Sequence, residues 1–286
     1  MKRKTKPPPL ARHDQRDQKR LPMKKKLPFL SPAQLTGIIL LPVAALVFFI
    51  HPLLAIAIAF SYIFLCISAS FFPQSRFYLP VISRGNTGRH FVALTFDDGP
   101  SDPVTGQILD ILDQYSVKAT FFVSGVNALK HPDMIQEIIS RGHSIGNHSF
   151  HHNPFLMLGD HHYLYQEIWR TQDVLRKMGV NALAFRPPVG IISPKLPSVL
   201  KRLGMFCVTF SCRAGDFGNR RVKNLSARIL KKIKADDIIL LHDITPADHE
   251  NSVSLLSEIE KILQGLHDRG FEIVPLSQLI GRNVSV

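Results

Sequence analysis

A stretch of 38 residues, 35–72, contains no Asp, Glu, Lys or Arg, and no other feature of the sequence constrains the fold as strongly. Within it the main interruptions are Pro42 and the pair His51-Pro52. A transmembrane helix needs about 20 apolar residues, so this length is typical of sequence that enters a membrane. A cleavable signal peptide has an apolar region of only about 7 to 15 residues, which indicates that the segment is retained.

The number of times this segment crosses the membrane decides on which side the rest of the chain lies. Residues 53–72 are long enough for one span, whereas residues 35–50 are marginal. One span exports the rest of the chain, while two spans hinged at His51-Pro52 keep both chain ends in the cytoplasm. We expect the two-helix hairpin, because three arginines that also prefer the cytoplasmic face follow the segment: Arg76, Arg84 and Arg89.

Most of the positive charge lies at the N-terminus. The net charge is +13, but residues 1–34 contain 11 basic and two acidic residues, which leaves 24 basic against 20 acidic residues in the remainder. These 34 residues also contain six prolines, so we expect a disordered basic arm. The excess charge is therefore a property of the arm, and a domain that binds nucleic acid is excluded.

Beyond residue 88 the sequence alternates between short apolar runs and amphipathic helices. The runs have the length of buried strands. They lie at residues 91–96, 119–123, 144–146, 182–185, 205–210, 238–241 and 271–274. This alternation over residues 89–281, after a connector at residues 73–88, predicts parallel β/α units. A complete eight-fold barrel needs about 250 residues. The 193 residues present favour an α/β fold with a distorted or incomplete parallel (β/α) barrel.

Polar residues follow five of these runs at the points where the strands end. They are Asp97-Asp98, His148 with His152, Arg186, Asp216, and His242-Asp243. In parallel β/α folds the carboxyl ends of the strands carry the active site. We therefore expect five separate segments to meet at one mouth.

Asp98, His148 and His152 form a set of two imidazoles and one carboxylate. The histidines are four residues apart, so a local turn brings both rings to one side. Such a set leaves coordination positions of a metal open for water and substrate. Asp97 and Asp98 point in different directions if strand geometry persists, so one can bind a metal and the other a water. The alternatives are an Asp-Gly turn and a merely His-rich loop, of which four histidines are taken as bystanders: His143, His151, His161 and His162.

Five motifs occur in order along this part of the chain. Residues 95–100 are TFDDGP, 148–152 are HSFHH, 186–190 are RPPVG, 216–217 are DF and 240–243 are LLHD. In this order they resemble the motifs of the polysaccharide deacetylases, the NodB-homology domain or carbohydrate esterase family 4. The resemblance covers residues 89–281. It implies a distorted (β/α) barrel that removes acyl groups from N-acylated sugars with a divalent metal.

The resemblance gives each motif a role. Asp97 matches the catalytic base and His242 the catalytic acid. Arg186 matches the residue that orients the base, and Asp216 the residue that tunes the acid. The metal ligands are the three residues grouped above, namely Asp98, His148 and His152. Zinc is the expected metal, with cobalt, manganese and nickel as alternatives.

Three further residues are expected to contact the substrate. The backbone N–H of Val189, where the family usually has tyrosine, would stabilise the developing oxyanion. Phe217, where tryptophan is usual, and Leu241 would line the pocket for the acyl methyl group. Isolated apolar residues such as these two are also commonly part of the core.

The sequence therefore predicts a membrane-anchored, metal-dependent enzyme that removes N-acetyl groups from amino sugars of a polysaccharide or glycan, at a bacterial inner membrane. One alternative is a deformylase or deacetylase of a lipid-linked amino sugar, which a membrane anchor suits. Another is a catalytically silent sugar-binding module, because a fold can persist after its catalytic activity has been lost. The sugar and the oligomeric state stay open.

Overall fold

The structure is a computed structural model of the chain, which describes residues 30–246 and 249–286. Its first helix begins at a capping box. α1 spans Pro32–Phe48. Ser31 Oγ accepts a hydrogen bond from Gln34 N, and the Gln34 side chain accepts one from Ser31 N. Of the predicted basic arm, residues 1–29 lie outside the described residues. Residues 32–34 belong to the helix, because the capping box and Pro32 start it three residues earlier than predicted.

α1 and a second apolar helix form an antiparallel hairpin. α2 spans Pro52–Ser70, and the turn between the helices falls at the predicted hinge. Tyr62 Oη donates a hydrogen bond to Ala33 O (3.0 Å), and a Cβ on Gly37 would lie 2.6 Å from Tyr62 Oη. Among the described helices, α2 alone is long and apolar enough to cross a membrane by length and composition, while α1 has 17 residues.

The α/β domain is built on one sheet. Its strands are β1 (Val81–Ile82), β2 (Phe91–Asp97), β3 (Thr120–Val123), β4 (Ser144–Asn147), β5 (Ala184–Phe185), β6 (Phe206–Val208), β7 (Cys212–Arg213), β8 (Ile238–His242) and β9 (Glu272–Ile273). The order is β1-β6-β5-β4-β3-β2-β8-β7, with β9 also paired to β2, and all of these pairings are parallel. Among the described residues β7 pairs with β8 only, so the barrel is incomplete, as the sequence predicted.

Eight helices accompany the strands in the described part of the domain. They are α3 (Val104–Gln114), α4 (Gly125–Lys130), α5 (Pro132–Ser140), α6 (His161–Lys177), α7 (Leu196–Leu203), α8 (Leu225–Leu230), α9 (His249–Asp268) and α10 (Leu276–Ile280), with 3₁₀ turns at Leu156–Leu158 and Pro188–Gly190. α3, α6, α8 and α9 have the amphipathic spacing that the alternation in the sequence predicts.

Side chains of each strand alternate between two apolar clusters. Val92, Leu94 and Phe96 of β2 pack in the larger cluster, with the helices. Phe91 and Ala93 of the same strand pack in the smaller cluster, in the interior of the sheet. Asp97 continues the interior series because the side-chain period of a strand is two residues. The sheet therefore delivers Asp97 to the mouth of the barrel.

The predicted connector at residues 73–88 is wrong in one respect. Val81 and Ile82 form β1, which pairs with Cys207 and Val208 of β6 at the edge of the sheet. A strand of two residues carries no periodic pattern, and the apolar run there was too short to distinguish from a loop. The α/β domain thus begins several residues before residue 89.

Candidate active site

The carboxyl ends of the strands surround a cleft of about 690 Å³. It is bounded by the segments that follow β2, β4, β5, β7 and β8, so the five predicted segments do meet at one mouth. Eight of the ten predicted site residues line this cleft, namely Asp97, Asp98, His148, His152, Val189, Asp216, Phe217 and His242. Arg186 lies buried beneath it, and Leu241 lies elsewhere.

Asp98, His148 and His152 come together as the sequence predicted, with one ligand atom of each within 4.8 Å of the others. Nε2 of His152 lies 2.9 Å and Nε2 of His148 lies 3.3 Å from Asp98 Oδ1. Nδ1 of His148 lies 2.7 Å from the Arg186 carbonyl oxygen. Because a carbonyl only accepts, this contact places the proton on Nδ1 and leaves the Nε2 lone pair facing the cleft.

This cluster fits a divalent cation. Asp98 Oδ1 is buried and accepts no hydrogen bond in the described part of the chain, although a buried carboxylate oxygen normally has a partner. The atoms that face it are ring nitrogens. Two imidazoles and one carboxylate are suitable ligands for zinc and neighbouring transition metals. A cation bound between the two ring nitrogens and Asp98 Oδ1 would give this oxygen the partner that it lacks.

The backbone adopts left-handed conformations within and beside this cluster. Asp98 has φ = 78°, Ser149 has φ = 67° and His152 has φ = 52°. Residues other than glycine adopt this region at some energetic cost, and such residues cluster at functional sites. At Asp98 the strand ends and the chain turns, so both neighbouring aspartates reach the cleft. The sequence predicted that the two carboxylates point apart if the strand continued. The strand ends at Asp97, so this condition is not met and both side chains line the cleft.

Asp97 is held by a buried arginine. Arg186 is fully buried, and its Nη1 lies 2.6 Å from Asp97 Oδ1 and 2.8 Å from Thr95 Oγ1. Its Nη2 donates to Thr209 O (2.9 Å), and the guanidinium lies 3.9 Å from the centre of the Phe122 ring. Burial lowers the pKa of Arg186, and the charge and hydrogen bond of Asp97 oppose that shift. Asp97 Oδ2 remains directed toward the cluster, 3.7 Å from Nε2 of His148.

His242 ends β8, where it is the register partner of Asp97, and its side chain is paired with Asp216. Nδ1 of His242 lies 2.6 Å from Asp216 Oδ2, and Asp216 is buried. Burial disfavours the imidazolium, but the hydrogen bond and charge of Asp216, with the charges of Asp98 and Asp97, outweigh it and raise the pKa of His242 to about 9. The ring can therefore carry a proton at neutral pH, with Nε2 facing the cleft.

Two buried carboxylates to which the sequence analysis gave no role hold these loops. Glu167 of α6 accepts hydrogen bonds from His151 N (2.9 Å) and His151 Nδ1 (2.7 Å), between the two histidine ligands. Asp243 accepts hydrogen bonds from Gly99 N (3.1 Å) and Thr105 Oγ1 (2.8 Å), and burial raises the pKa of Asp243 to about 7. Only the position of Asp243 next to His242 could have suggested its role.

Comparison with known proteins decides the family. The family model described as polysaccharide deacetylase matches residues 84–208. A peptidoglycan-N-acetylglucosamine deacetylase of Bacillus cereus is 34% identical over 191 residues, which cover 66% of this chain and 87% of the relative. The chain belongs to the polysaccharide deacetylase family. A chitooligosaccharide deacetylase of Sinorhizobium fredii is 31% identical over 212 residues, which cover 70% of this chain and 97% of the relative.

Solved structures of polysaccharide deacetylases have the same fold. The Bc1960 peptidoglycan N-acetylglucosamine deacetylase superposes with a TM-score of 0.63 at 31% identity, and the match covers 71% of this chain and 94% of that one. A family pseudoenzyme of Bacillus anthracis has the same TM-score at 20% identity, covering 70% of this chain and 68% of that one. The fold is thus shared by active and inactive members, and the site residues must carry the argument for activity.

Val189 lies on the rim of the polysaccharide deacetylase cleft. It has φ = 51° within the 3₁₀ turn and is 48% exposed. Its N–H donates to no acceptor among the described residues. Phe217 also lines the cleft, with φ = 52° and the Arg221 guanidinium 5.2 Å from its ring centre. Both positions suit the substrate contacts that the sequence predicted.

The prediction that Leu241 lines the pocket is wrong. Leu241 is fully buried in the larger apolar cluster, on the helix side of β8. Leu240 lines the cleft instead and belongs to the interior cluster. The reason is the two-residue period of a strand: His242 faces the mouth, so the residue two before it faces the same side. Counting back from His242 would have selected Leu240.

Proposed function

We propose that the protein is a membrane-anchored, metal-dependent hydrolase that removes N-acetyl groups from amino sugars of a glycan. The observation that carries the proposal is one cleft that contains a two-histidine, one-carboxylate cluster between an arginine-bound aspartate and an aspartate-bound histidine. The named activities of the relatives, on peptidoglycan and chitooligosaccharides, support the same chemistry.

Asp98, His148 and His152 would hold the cation. When bound, a divalent cation polarises the acyl carbonyl and lowers the pKa of a water molecule, which the slow hydrolysis of an amide requires. Zinc is the metal that we propose, because imidazole and carboxylate ligands in this number are typical of catalytic zinc sites. Cobalt, manganese and nickel accept the same ligands.

The residues of the chain move the protons. Asp97 Oδ2 takes a proton from the attacking water while Arg186 fixes the other carboxylate oxygen. The water oxygen forms a bond to the acyl carbon, and the N–H of Val189 would stabilise the negative oxygen that results. His242 Nε2 then gives its proton to the amide nitrogen, the C–N bond breaks, and acetate and a free amino sugar leave. Asp216 orients His242 and stabilises its protonated form.

The apolar hairpin supports anchoring in a membrane. The outer faces of α1 and α2 expose large apolar side chains, including Leu46 (71%) and Leu53 (84%), whereas the buried residues of the pair are alanine and glycine. Exposed apolar surface with small residues between the helices is typical of helices packed in lipid. Two spans would put the α/β domain on the same side as the basic N-terminal segment, which favours the cytoplasmic face.

Acetate release tests the proposal directly. The full chain, purified in detergent and loaded with zinc, is expected to release acetate from N-acetylglucosamine oligomers. In Asp97→Asn the base is lost while the ligands remain, so bound zinc should be unchanged and turnover should fall by roughly 10² or more. In Asp98→Asn zinc should be lost. Near-normal turnover in both Asp97→Asn and His242→Ala would contradict the mechanism, and sugar binding without acetate release would indicate a silent module.

A further inference from the structure

The apolar hairpin joins the domain at the rim of the cleft. Ile192 N donates a hydrogen bond to Ser70 O, the last residue of α2 (3.0 Å). Thr209 Oγ1 donates to Pro73 O (2.6 Å), and a Cβ on Gly190 would lie 2.8 Å from Pro73 Cγ. Gly190 lines the cleft. The membrane-facing helix therefore ends at the mouth of the barrel, beside the turn that presents Val189.

Large exposed apolar side chains occur at the end of the hairpin and in the segments that follow β4 and β5. The segment after β4 contributes Pro154 to the cleft, and its 3₁₀ turn at Leu156–Leu158 is tied to the segment after β5, because Lys195 Nζ donates to Gly159 O (2.5 Å). The side chains concerned are each about half exposed or more, and we call them the apolar rim: Phe71, Phe72, Phe155, Leu158 and Val189. Large exposed apolar side chains in segments that adjoin a membrane-inserting hairpin and the cleft are suited to contact lipid.

Basic side chains on the cleft wall have no charge partner. Arg213, Arg220 and Lys232 line the cleft, and none of them forms an ion pair in the described ranges. The acidic groups Asp97 and Asp216 are engaged by Arg186 and His242. The three cations are thus available to an anionic group of the substrate, and guanidinium groups bind phosphate oxygens particularly well.

The first of these cations adjoins the rim. The Phe210 ring lies 3.3 Å from the position of a Cβ on Gly190, and the Arg213 guanidinium lies 5.6 Å from the centre of that ring. A continuous surface therefore runs from the end of α2 across Gly190 and Phe210 to Arg213. A phosphate held at a lipid surface would lie near the basic wall while its sugar reaches the metal cluster.

We propose that the substrate is an N-acylated amino sugar joined through a phosphate to a membrane lipid. This inference rests on the proposed function, since it names the substrate of the same site. The apolar rim contacts the lipid surface, and the cations Arg213, Arg220 and Lys232 bind the phosphate. The hairpin thereby keeps the cleft at the depth where a lipid-attached sugar emerges.

Four substrates separate the contributions of lipid and phosphate. The full chain is reconstituted in phosphatidylcholine vesicles with zinc, and acetate release is measured for N-acetylglucosamine linked to a polyprenol with and without an intervening phosphate. The corresponding soluble compounds are N-acetylglucosamine 1-phosphate, which matches the substrate with phosphate, and the methyl glycoside of N-acetylglucosamine, which matches the substrate without it. We expect kcat/KM to be higher by about tenfold or more with phosphate than without it in the lipid-linked pair, as expected for a charge-assisted contact.

Charge reversal tests the basic wall. Arg220→Glu and Lys232→Glu are each expected to bring the ratio of the kcat/KM values for the two lipid-linked substrates toward one. Lys130→Glu, the same charge change on an exposed residue of α4 outside the cleft, should keep the ratio. The apolar rim is tested by Phe155→Ser with Leu158→Ser, which should lower acetate release from the lipid-linked phosphate more than from the soluble phosphate.

The outcomes distinguish this inference from the function on which it rests. Similar kcat/KM for all four substrates, or a ratio that Arg220→Glu and Lys232→Glu leave intact, would overturn the inference and leave the deacetylase function standing. A preference for phosphate only in the soluble pair would show an anionic soluble substrate and also overturn it. Acetate release from N-acetylglucosamine oligomers but from none of the four substrates would overturn the inference alone. Acetate release from neither the oligomers nor the four substrates would overturn the proposed function and the inference together.

Discussion

Arg186 Nη1 lies 2.6 Å from Asp97 Oδ1, and the guanidinium is fully removed from solvent. The same group also reaches Thr95 and the carbonyl of Thr209, so this residue after β5 binds both β2 and the segment after β6. An arginine in such a position serves two purposes. It fixes the orientation of Asp97, and it balances the carboxylate's charge in a region of low dielectric constant.

Breaking this pair should destabilise the fold as well as the activity. In Arg186→Met, Asp97 is left buried without its partner, and a loss of about 3–5 kcal/mol in the free energy of unfolding is expected. The double variant Arg186→Met, Asp97→Asn should recover part of the stability but no activity. Thermal unfolding in detergent, beside acetate release, measures both. A double variant no more stable than Arg186→Met would argue against an uncompensated charge as the cause.

The histidine cluster should separate into a ligand and a bystander. His148→Ala removes one of two imidazoles and should abolish stoichiometric zinc binding. His151→Ala should leave the zinc content unchanged, because the His151 ring is directed to Glu167. The hydrogen bond from the backbone N–H of residue 151 to Glu167 remains in this variant. Elemental analysis of the purified proteins decides. Zinc retained in His148→Ala would mean that the cluster is not the metal site.

The pH dependence of turnover should depend on Asp216. His242 acts as a proton donor, so the rate falls as pH rises through the pKa of His242, which its neighbours raise to about 9. Asp216→Asn removes the largest of the effects that raise the pKa, so the alkaline limb of the kcat profile should move to lower pH. His161→Ala, an imidazole outside the cleft, is the matched control. An unshifted alkaline limb in Asp216→Asn would exclude His242 as the titrating acid.

The two neighbouring leucines of β8 should behave differently. Leu240→Ala enlarges the cleft wall and should change the relative kcat/KM for acetylated and longer acylated substrates. Leu241→Ala leaves a cavity in the fully buried core and should cost about 2–5 kcal/mol of stability without changing that preference. Acyl-chain selectivity and thermal unfolding of both variants provide the comparison. A selectivity change confined to Leu241→Ala would restore the original assignment.

Reporter fusions test the hairpin in the membrane. With two spans, a fusion after Val286 should be active with a reporter that works in the cytoplasm. A fusion that ends at His51, in the turn between α1 and α2, should be active with a reporter that works outside. Activity of the exported reporter at Val286 would show that α1 does not span and that the α/β domain lies outside.

The sequence predicted the parts of this molecule that depend on local patterns. Seven apolar runs became strands, and Asp98, His148 and His152 met because parallel strands end at one edge of a sheet. β1 and β7 have two residues each and were missed. β5 and β9 are equally short, but they lie within the predicted apolar runs 182–185 and 271–274. Loop residues were harder still, since the contact between Glu167 and His151 depends on how α6 packs against the loop after β4.

Leu241 shows a different kind of error. The apolar residue closest to His242 was chosen by its distance along the chain, whereas the strand places consecutive residues on opposite faces. The start of α1 is a similar case. Ser31 and Gln34 are a capping box visible in the sequence, but the apolar segment was expected to begin at Leu35, directly after Gln34.

Glu167 holds the loop between His148 and His152 in one conformation. Two hydrogen bonds tie His151 to α6, and the bonds of Gly99 and Thr105 to Asp243 tie the turn that carries Asp98. The ligands are thus fixed by the folded protein, and the conformational entropy of ordering them is lost during folding. The three side chains that we propose as ligands are therefore preorganised, so zinc is expected to exchange without unfolding the domain and with little rearrangement of the chain.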